Sequence, residues 1–320
     1  MALHPDTRRI LEALRDQGFP PLESVGVPRL RHLMNRLQQA QGEPEAVAHI
    51  VETQVPGPAG ALPVRVYRPA PRPGPRPLIV FFHGGGWVSG GIELVDPALR
   101  RLANATGAVV ASVGYRLAPE TRFPGPLQDA HAALCALAGR ASELGADPHT
   151  LVVAGESAGA NLAAAVCRMA ADGDGPRIAL QLLVCPPLAP ARDSPYASYR
   201  HNADGYLNTR AAMGYFWDQY VPDPVLARDP LAAPLLATDV CGLPPALVLV
   251  AGLDPLCDEG EAYAHRLREA GVPARSVRVD GALHIFFLLP RLAAFESVLP
   301  DIVDALADSA PPHAPEGSPA

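Results

Sequence analysis

The stretch LVVAGESAGANLAA (residues 151–164) places one serine, Ser157, between two glycines, after an apolar run and before an alanine-rich run. Residues 151–155 have the pattern of a short buried strand, and residues 158–172 that of a helix. At a sharp turn between the two, a side chain beside the tip would collide with the strand and helix, so glycine is favoured there. The stretch therefore predicts a strand, a turn that exposes the Ser157 hydroxyl, and a helix. We expect the adjacent Glu156 side chain to point away from a substrate.

Strand and helix patterns alternate on both sides of this stretch. Strand patterns occur at 46–55, 62–68, 78–83, 108–115, 151–155, 178–184, 246–252 and 274–279. Helical patterns occur at 6–17, 28–41, 126–141, 158–172, 259–271 and 291–307. The alternation predicts an α/β fold, in which a mainly parallel central sheet is covered by helices on both faces.

The bulk composition limits the possible functions. The chain has 320 residues, a net charge of −7 and no basic stripe, so we do not expect a nucleic-acid partner. Its five cysteines form no C-x-x-C pair, which disfavours a disulfide framework or zinc site and is typical of a reducing compartment. No apolar run approaches the roughly 18 residues of a membrane span, and the N-terminus has the pattern of an amphipathic helix rather than of a signal peptide. We therefore expect a cytoplasmic protein.

Two segments depart from the alternation. Residues 186–245 are rich in Pro, Asp, Tyr and Ala, and we interpret them as an insertion over the edge of the sheet rather than as an independent domain. The C-terminal residues, 309–320, are rich in proline and alanine and are predicted to be a disordered tail.

A serine hydroxyl is a weak nucleophile and needs both a base and donors for an oxyanion. The sequence LIVFFHGGGW (78–87) ends a strand in three consecutive glycines, whose backbone N–H groups can turn toward a ligand because no Cβ is in the way. In this chain order the donors are predicted to be the N–H groups of Gly84, Gly85 and Ala158.

The base is found by elimination among the histidines that follow Ser157. His284 follows a strand on a glycine-containing loop, where catalytic residues of parallel sheets gather. His265 lies within a helical pattern, His313 lies in the predicted tail, and His201 precedes any acid that follows a strand. The sequence therefore predicts His284 as the base.

The acid should lie between the serine and the histidine. Asp254 follows a strand by two residues and is followed by proline, whereas Asp258 and Glu259 have the pattern of caps for the next helix. Asp280, on the same loop as His284, is the less favoured alternative. We predict that Asp254 orients the imidazole and stabilises its protonated form.

Several stretches together resemble one known family. They are HGGGW (83–87), YRLAPE (115–120), FPGPLQDA (123–130), GESAGANLA (155–163), NADGYL (202–207), LPPALVLVAGLDPLCDEG (243–260) and DGALHIFF (280–287). In order and spacing they resemble the bacterial hormone-sensitive-lipase-like (family IV) carboxylesterases of the α/β-hydrolase superfamily, from about residue 60 to residue 305. The resemblance implies an α/β-hydrolase fold, hydrolysis of esters with short to medium acyl chains through an acyl-enzyme, and frequent homodimers. This chemistry requires no cofactor and no metal.

The resemblance also implies a helical cap over the site. We expect residues 1–45 to form N-terminal cap helices, 46–185 and 226–308 the catalytic domain, and 186–225 a cap insertion. The candidates for lining the substrate pocket are Trp87, Tyr206, Met213, Phe216 and Ile285.

Four positions depart from the family pattern. Ala160 stands where glycine is commoner, and Cys257 stands where arginine is frequent. Glu156 stands where many members have aspartate, and Ile285 stands where the family usually has glycine. We expect the Ile285 side chain to narrow the pocket beside the base.

Three other functions are compatible with parts of the pattern. An N-acyl amide hydrolase or deacetylase would use the same triad with an amine leaving group, and an acyltransferase would pass the acyl group to an alcohol instead of to water. A non-catalytic small-molecule binder is the third, as in the plant gibberellin receptors, which resemble this family and lack the catalytic histidine. The presence of His284 counts against a binder.

Overall fold

One eight-stranded sheet runs through the computed structural model, which describes residues 3–74 and 76–309. The strands are β1 (His49–Gly57), β2 (Gly60–Arg68), β3 (Leu78–Phe82), β4 (Val109–Val113), β5 (Leu151–Glu156), β6 (Leu180–Val184), β7 (Ala246–Ala251) and β8 (Ala274–Val279). Their order is β1-β2-β4-β3-β5-β6-β7-β8. The β1–β2 and β2–β4 pairs are antiparallel and the other pairs are parallel, so the predicted α/β fold with a mainly parallel sheet is confirmed.

The central strands are apolar on both faces because both faces are covered. In β3, Val80 and Phe82 pack into one apolar cluster, and Ile79 and Phe81 pack into the cluster on the opposite face. All residues of β3 to β7 are buried, as in sheets with helices on both sides. The outer strand β1 is largely exposed.

The described residues contain nine α-helices. They are α1 (Pro5–Asp16), α2 (Val27–Ala40), α3 (Ile92–Thr106), α4 (Gly125–Gly139), α5 (Ala158–Ala171), α6 (Ser198–His201), α7 (Arg210–Tyr220), α8 (Cys257–Glu269) and α9 (Ala293–Ser309). Apolar residues of α4, α5 and α8 belong to one core cluster, and those of α3 and α9 belong to the other.

Helix α3 is absent from the sequence-based expectations. It begins after Gly91, which provides no side-chain cap, and it contains Pro97 in its interior, so the usual start signal is missing and a breaker is present. Burial of its apolar face against the sheet and α9 stabilises the helix nevertheless.

The segment 186–245 contains short helices and no strand within the described residues, and two acidic side chains attach it to the body. Asp258 Oδ2 accepts a hydrogen bond from the Ser198 N–H at 2.8 Å, and Glu259 Oε1 accepts one from the Leu188 N–H at 2.9 Å. The prediction that these two carboxylates cap α8 was wrong, because they lie within its first turn and bond to a neighbouring segment.

The N-terminal helices contact the loops that follow the strands. Thr7 Oγ1 donates a buried hydrogen bond to the Gly281 carbonyl at 2.6 Å, and Arg31 Nε donates to the Val88 carbonyl at 2.8 Å. Of the tail predicted at 309–320, Ser309 ends α9 and the remainder lies outside the described residues. No helix in the described part of the chain is both long and apolar enough to cross a membrane.

Candidate active site

Ser157 lies at the tip of a sharp turn between β5 and α5. Its backbone adopts φ 53° and ψ −123°, a conformation that residues other than glycine rarely adopt. A Cβ on Gly155 would lie 2.3 Å from the Gly159 backbone, and a Cβ on Gly159 would lie 2.0 Å from the Phe82 carbonyl oxygen. The flanking glycines are therefore required because backbone approaches backbone at this turn.

The structure brings together the three residues predicted as nucleophile, base and acid. His284 Nε2 lies 2.9 Å from Ser157 Oγ, and His284 Nδ1 lies 2.6 Å from Asp254 Oδ2. Because an ionised carboxylate only accepts, Nδ1 carries the proton and Nε2 is the acceptor for the serine hydroxyl. The histidine is therefore bonded to Asp254, and the alternative acid Asp280 does not occupy this position.

Two asparagines that were given no role in the sequence analysis hold the acid. Asn208 is buried and its Nδ2 donates to Asp254 Oδ1 at 3.0 Å, while Asn202 Nδ2 donates to the Asp254 carbonyl at 3.1 Å. Asn202 opens the stretch NADGYL (202–207), which entered the family resemblance without a function, and Asn208 directly follows that stretch. Such neighbours fix the carboxylate that in turn fixes the ring.

The surroundings of His284 favour the protonated form of its imidazole more than water does. Burial alone would lower the pKa of His284, but the charge and hydrogen bond of Asp254, together with the charge of Glu156, raise that pKa above its ordinary value. The neutral ring that can accept the serine proton therefore predominates only above this raised pKa.

The expectation that Glu156 points away from the site was wrong. Its side chain is buried in the wall of the cavity beside Ser157, with Oε1 3.7 Å from His284 Nε2. The space exists because Gly84 lacks a side chain, since a Cβ there would lie 1.8 Å from Glu156 Oε2. Burial raises the pKa of the Glu156 carboxyl to about 7.

Two residues of the glycine run line the cavity, and one of them, Gly86, was not named among the predicted oxyanion donors. Gly85 and Gly86, with φ of 116° and 61°, lie in the cavity wall, whereas the Cα of Gly84 faces Glu156. Gly86 was missed, although it belongs to the same run. Ala158 is the first residue of α5, and the first N–H groups of a helix have no intrahelical partner.

His83 supports this glycine run through a hydrogen bond to its backbone. Its Nδ1 lies 2.8 Å from the Gly84 carbonyl oxygen, and its ring stacks on Tyr115 at 4.3 Å. Burial lowers the pKa of His83 to about 4, so the donated Nδ1 proton belongs to a neutral ring at neutral pH. The position of His83 and its uncharged ring indicate that it stabilises the conformation of the loop.

The cavity above Ser157 has a volume of about 530 Å³ and is mainly apolar. Of the predicted lining residues, Met213, Phe216 and Ile285 contribute to its wall. Helices α1 and α2 supply lining residues that the sequence analysis did not name, among them Ile10, Leu14, Leu30, Leu33, Met34 and Leu37.

Two of the predicted pocket residues do not line this cavity. Trp87 is fully buried and stacks on Tyr220 with ring centroids 4.5 Å apart, because the chain turns its side chain into the core after the glycine run. Tyr206 lies in the wall of a separate cavity of about 380 Å³ that Asn202 also lines.

One cluster in residues 3–74 and 76–309 has the geometry to hold a metal ion. It consists of Cys185, Asp254 and His284, whose ligand atoms all lie within 4.8 Å of one another. Two of its members, His284 and Asp254, are already hydrogen-bonded to each other. We therefore assign the cluster no separate metal role.

A serine held at a strand–turn–helix junction, with its acid and then its histidine on later loops after strands, is the arrangement of the α/β hydrolases. Residues 79–288 match the family model described as alpha/beta hydrolase fold, and the chain belongs to this family. The chain's resemblance to the hormone-sensitive-lipase-like esterases is likewise confirmed by its relatives.

The chain is 40% identical over 264 residues to the carboxylic ester hydrolase LipN of Mycobacterium tuberculosis (strain ATCC 25618 / H37Rv), a match that covers 80% of this chain and 68% of LipN. It is 34% identical over 302 residues to an arylesterase of Saccharolobus solfataricus, which covers 93% of this chain and 97% of that protein. Among solved structures, the hyperthermophilic esterase of the archaeon Pyrobaculum calidifontis is similar with a TM-score of 0.88 at 38% identity, covering 97% of this chain and 100% of that one.

Proposed function

We propose that this protein is a carboxylesterase in which Ser157 is the nucleophile, His284 the general base and Asp254 the acid that orients the base. The reaction class follows from the relatives, which are ester hydrolases over most of this chain, and the chain is accordingly a carboxylic ester hydrolase. The single observation that carries the residue assignment is the hydrogen-bonded path from Asp254 through His284 to Ser157 Oγ. That path ends at the wall of an apolar cavity.

The geometry suits a two-step acyl transfer. His284 Nε2 takes the Ser157 proton as Oγ attacks the ester carbonyl carbon, and the positive ring is stabilised by Asp254. The developing oxyanion accepts hydrogen bonds from the N–H groups of Gly85, Gly86 and Ala158, each of which contributes about 3 kcal/mol in comparable sites. The ring then protonates the leaving alcohol, and water activated by the same ring releases the acid.

The cavity supports esters with short to medium apolar chains as the substrate class. Its volume of about 530 Å³ lies within the usual range for small-molecule sites. Residues of α1, α2 and α7 line it, which supports residues 1–45 and 186–225 as a cap over the serine. The homodimer and the cytoplasmic location stay predictions, which sedimentation and cell fractionation can test.

Replacement of the nucleophile tests the function. Ser157→Ala should lower p-nitrophenyl ester hydrolysis by at least about a thousandfold and abolish fluorophosphonate labelling, because the covalent route is removed. The matched control is Ser112→Ala, since Ser112 is also buried but lies on β4 and its Oγ has no hydrogen-bond partner among the described residues. Unchanged turnover in Ser157→Ala would contradict the proposal.

The same assay separates the other functions. Esters from acetate to decanoate should be hydrolysed faster than the matching amides; the opposite order would indicate an amide hydrolase. Ester product formed when an alcohol competes with water would indicate an acyltransferase. Failure of the phosphonate to label wild-type Ser157 would favour a non-catalytic binder.

A further inference from the structure

Each ring nitrogen of His284 faces its own carboxylate. Asp254 Oδ2 lies 2.6 Å from Nδ1, and Glu156 Oε1 lies 3.7 Å from Nε2, on the side of the ring that meets Ser157. Glu156 is 1% exposed, and its Oε2 has no hydrogen-bond partner in the described part of the chain. Burying a carboxyl group with an unpaired oxygen costs free energy, so its position beside the base calls for a functional explanation.

Two further titratable groups, one beside His284 and one that interacts with Glu156, are neutral at neutral pH. Cys185, on the loop after β6, has its Sγ within 4.8 Å of the Asp254 and His284 ligand atoms, and burial raises the pKa of its thiol well above the ordinary value. The Tyr115 hydroxyl, which interacts with the charge of Glu156, also has its pKa raised well above the ordinary value by burial. The two carboxylates therefore face one cation, the imidazolium of His284.

The distance defines how Glu156 can act. A separation of 3.7 Å between Oε1 and Nε2 is too long for a hydrogen bond but short for an interaction between charges in a buried site. Nε2 therefore remains available to the Ser157 hydroxyl. Glu156 is held in place beneath the glycine run, where the absence of a Cβ on Gly84 leaves room for Oε2.

We infer that Glu156 is a positioning residue for the catalytic base, a second carboxylate that stabilises the His284 imidazolium formed when Ser157 attacks. This inference rests on the proposed hydrolase function. The serine proton moves to Nε2 and later to the leaving alcohol. Glu156, whose carboxyl has a pKa of about 7, is ionised near pH 8, and it neither gives nor receives a proton in these steps. Asp254 orients the ring through Nδ1, and Glu156 adds a negative charge beside Nε2.

The pH dependence of turnover tests the inference. Glu156→Gln should lower kcat about tenfold near pH 8 with little change in KM, and should move the acid limb of kcat/KM to lower pH by about 0.5–1 unit, because a charge that raises the pKa of His284 is lost. Glu156→Asp should lie between Glu156→Gln and wild type, since it keeps a carboxylate at a longer distance. The matched control is Glu259→Gln, because Glu259 is equally buried but bonds to the Leu188 N–H. Its acid limb should match that of wild type.

A spectroscopic measurement separates failure of this inference from failure of the proposed function. The low-field proton resonance of His284 Nδ1–H, followed by NMR against pH, should titrate at lower pH in Glu156→Gln whether or not esters are turned over. An unchanged NMR midpoint and an unchanged acid limb in that variant would overturn the inference and leave Glu156 a packing residue. If Glu156→Gln does not fold, the test uses Glu156→Asp instead. Its NMR midpoint and acid limb should move to lower pH by a smaller amount, and the absence of any shift would overturn the inference. Absence of ester turnover in wild type would instead refute the proposed function.

Discussion

Ser157 combines an unfavourable backbone conformation with close contacts on both sides. Its φ of 53° is maintained because its N–H donates to the Val184 carbonyl of β6 at 2.8 Å, while α5 begins at the next residue. Strain of this kind persists only where surrounding structure enforces it, and it presents the hydroxyl to the cavity. The turn therefore depends on the packing of three elements as well as on its own sequence.

The close approach of α5 to β3 gives a prediction for a single glycine. Gly159→Ala would place a Cβ 2.0 Å from the Phe82 carbonyl oxygen, so it should destabilise the protein by about 2–3 kcal/mol or more and lower activity through displacement of Ser157. Urea unfolding and ester turnover measure both effects.

Gly214 provides the matched control for that substitution. It lies inside α7, and a Cβ there would meet nothing within 4 Å, so Gly214→Ala should be neutral or stabilising by up to about 1 kcal/mol. Equal stability of Gly159→Ala and wild type would show that the helix does not approach the strand so closely.

At the scale of elements, the short 3-10 helix His284–Leu288 contains both the proposed base, His284, and part of the cavity wall. The carbonyl of Gly281, on the loop before it, accepts the hydrogen bond from Thr7 in α1. Helix α2 is attached in the same way through Arg31, which bonds to the Val88 carbonyl after the glycine run and to Glu120. These two helices, which line the cavity above Ser157, are thus anchored to the loop before His284 and to the loop after the glycine run.

Ile285 should set the length of chain that the cavity accepts. Ile285→Ala enlarges the wall beside His284, so the ratio of kcat/KM for hexanoate to that for acetate should rise by up to about tenfold. Competing p-nitrophenyl esters in one assay measures this ratio. Leu283→Ala is the matched control: its side chain is equally buried but lies outside that cavity wall, so it should lower stability by about 2–4 kcal/mol and leave the ratio unchanged. The same change in both variants would contradict this role for Ile285.

At the scale of the whole molecule, the buried carboxyl of Glu156 makes folding stability depend on pH. Its pKa is about 7 in the folded protein against an ordinary value of 4.5, so the folded state binds the proton more tightly than the unfolded state. The stabilisation that comes from this tighter proton binding is fully present below pH 4.5, and it is lost as the pH rises through about 7. The difference between the two pKa values, 4.5 and about 7, corresponds to a change of about 3 kcal/mol in the free energy of unfolding.

Thermal unfolding at several pH values measures this linkage. The melting temperature of wild type should fall between about pH 5 and about pH 8, and the fall should be smaller in Glu156→Gln, because glutamine does not titrate. Part of the fall should persist in that variant, since the raised pKa of His284 acts in the same direction. Identical pH dependence in the two proteins would show that the Glu156 carboxyl has an ordinary pKa in the folded state.

Much of the architecture could be predicted because local sequence patterns determine it. Apolar runs of strand length alternating with helical patterns gave the parallel sheet, and the order of Ser157, Asp254 and His284 along the chain placed each on a loop after a strand, where parallel strands bring loops together. Helix α3 escaped prediction because its start signal was absent and Pro97 opposed it, while tertiary packing stabilised it.

By itself, the sequence determined the fold class and indicated the order of the proposed nucleophile, acid and base. Periodicity and turn chemistry act over a few residues and do not need tertiary context. Only the tertiary structure decided where the side chains beside those residues point. The Glu156 side chain lies in the site because Gly84, distant in sequence, leaves space for it. The Trp87 side chain lies outside the site, where it stacks on Tyr220. Such orientations depend on the register and packing of elements far apart in the chain, which local sequence patterns do not encode.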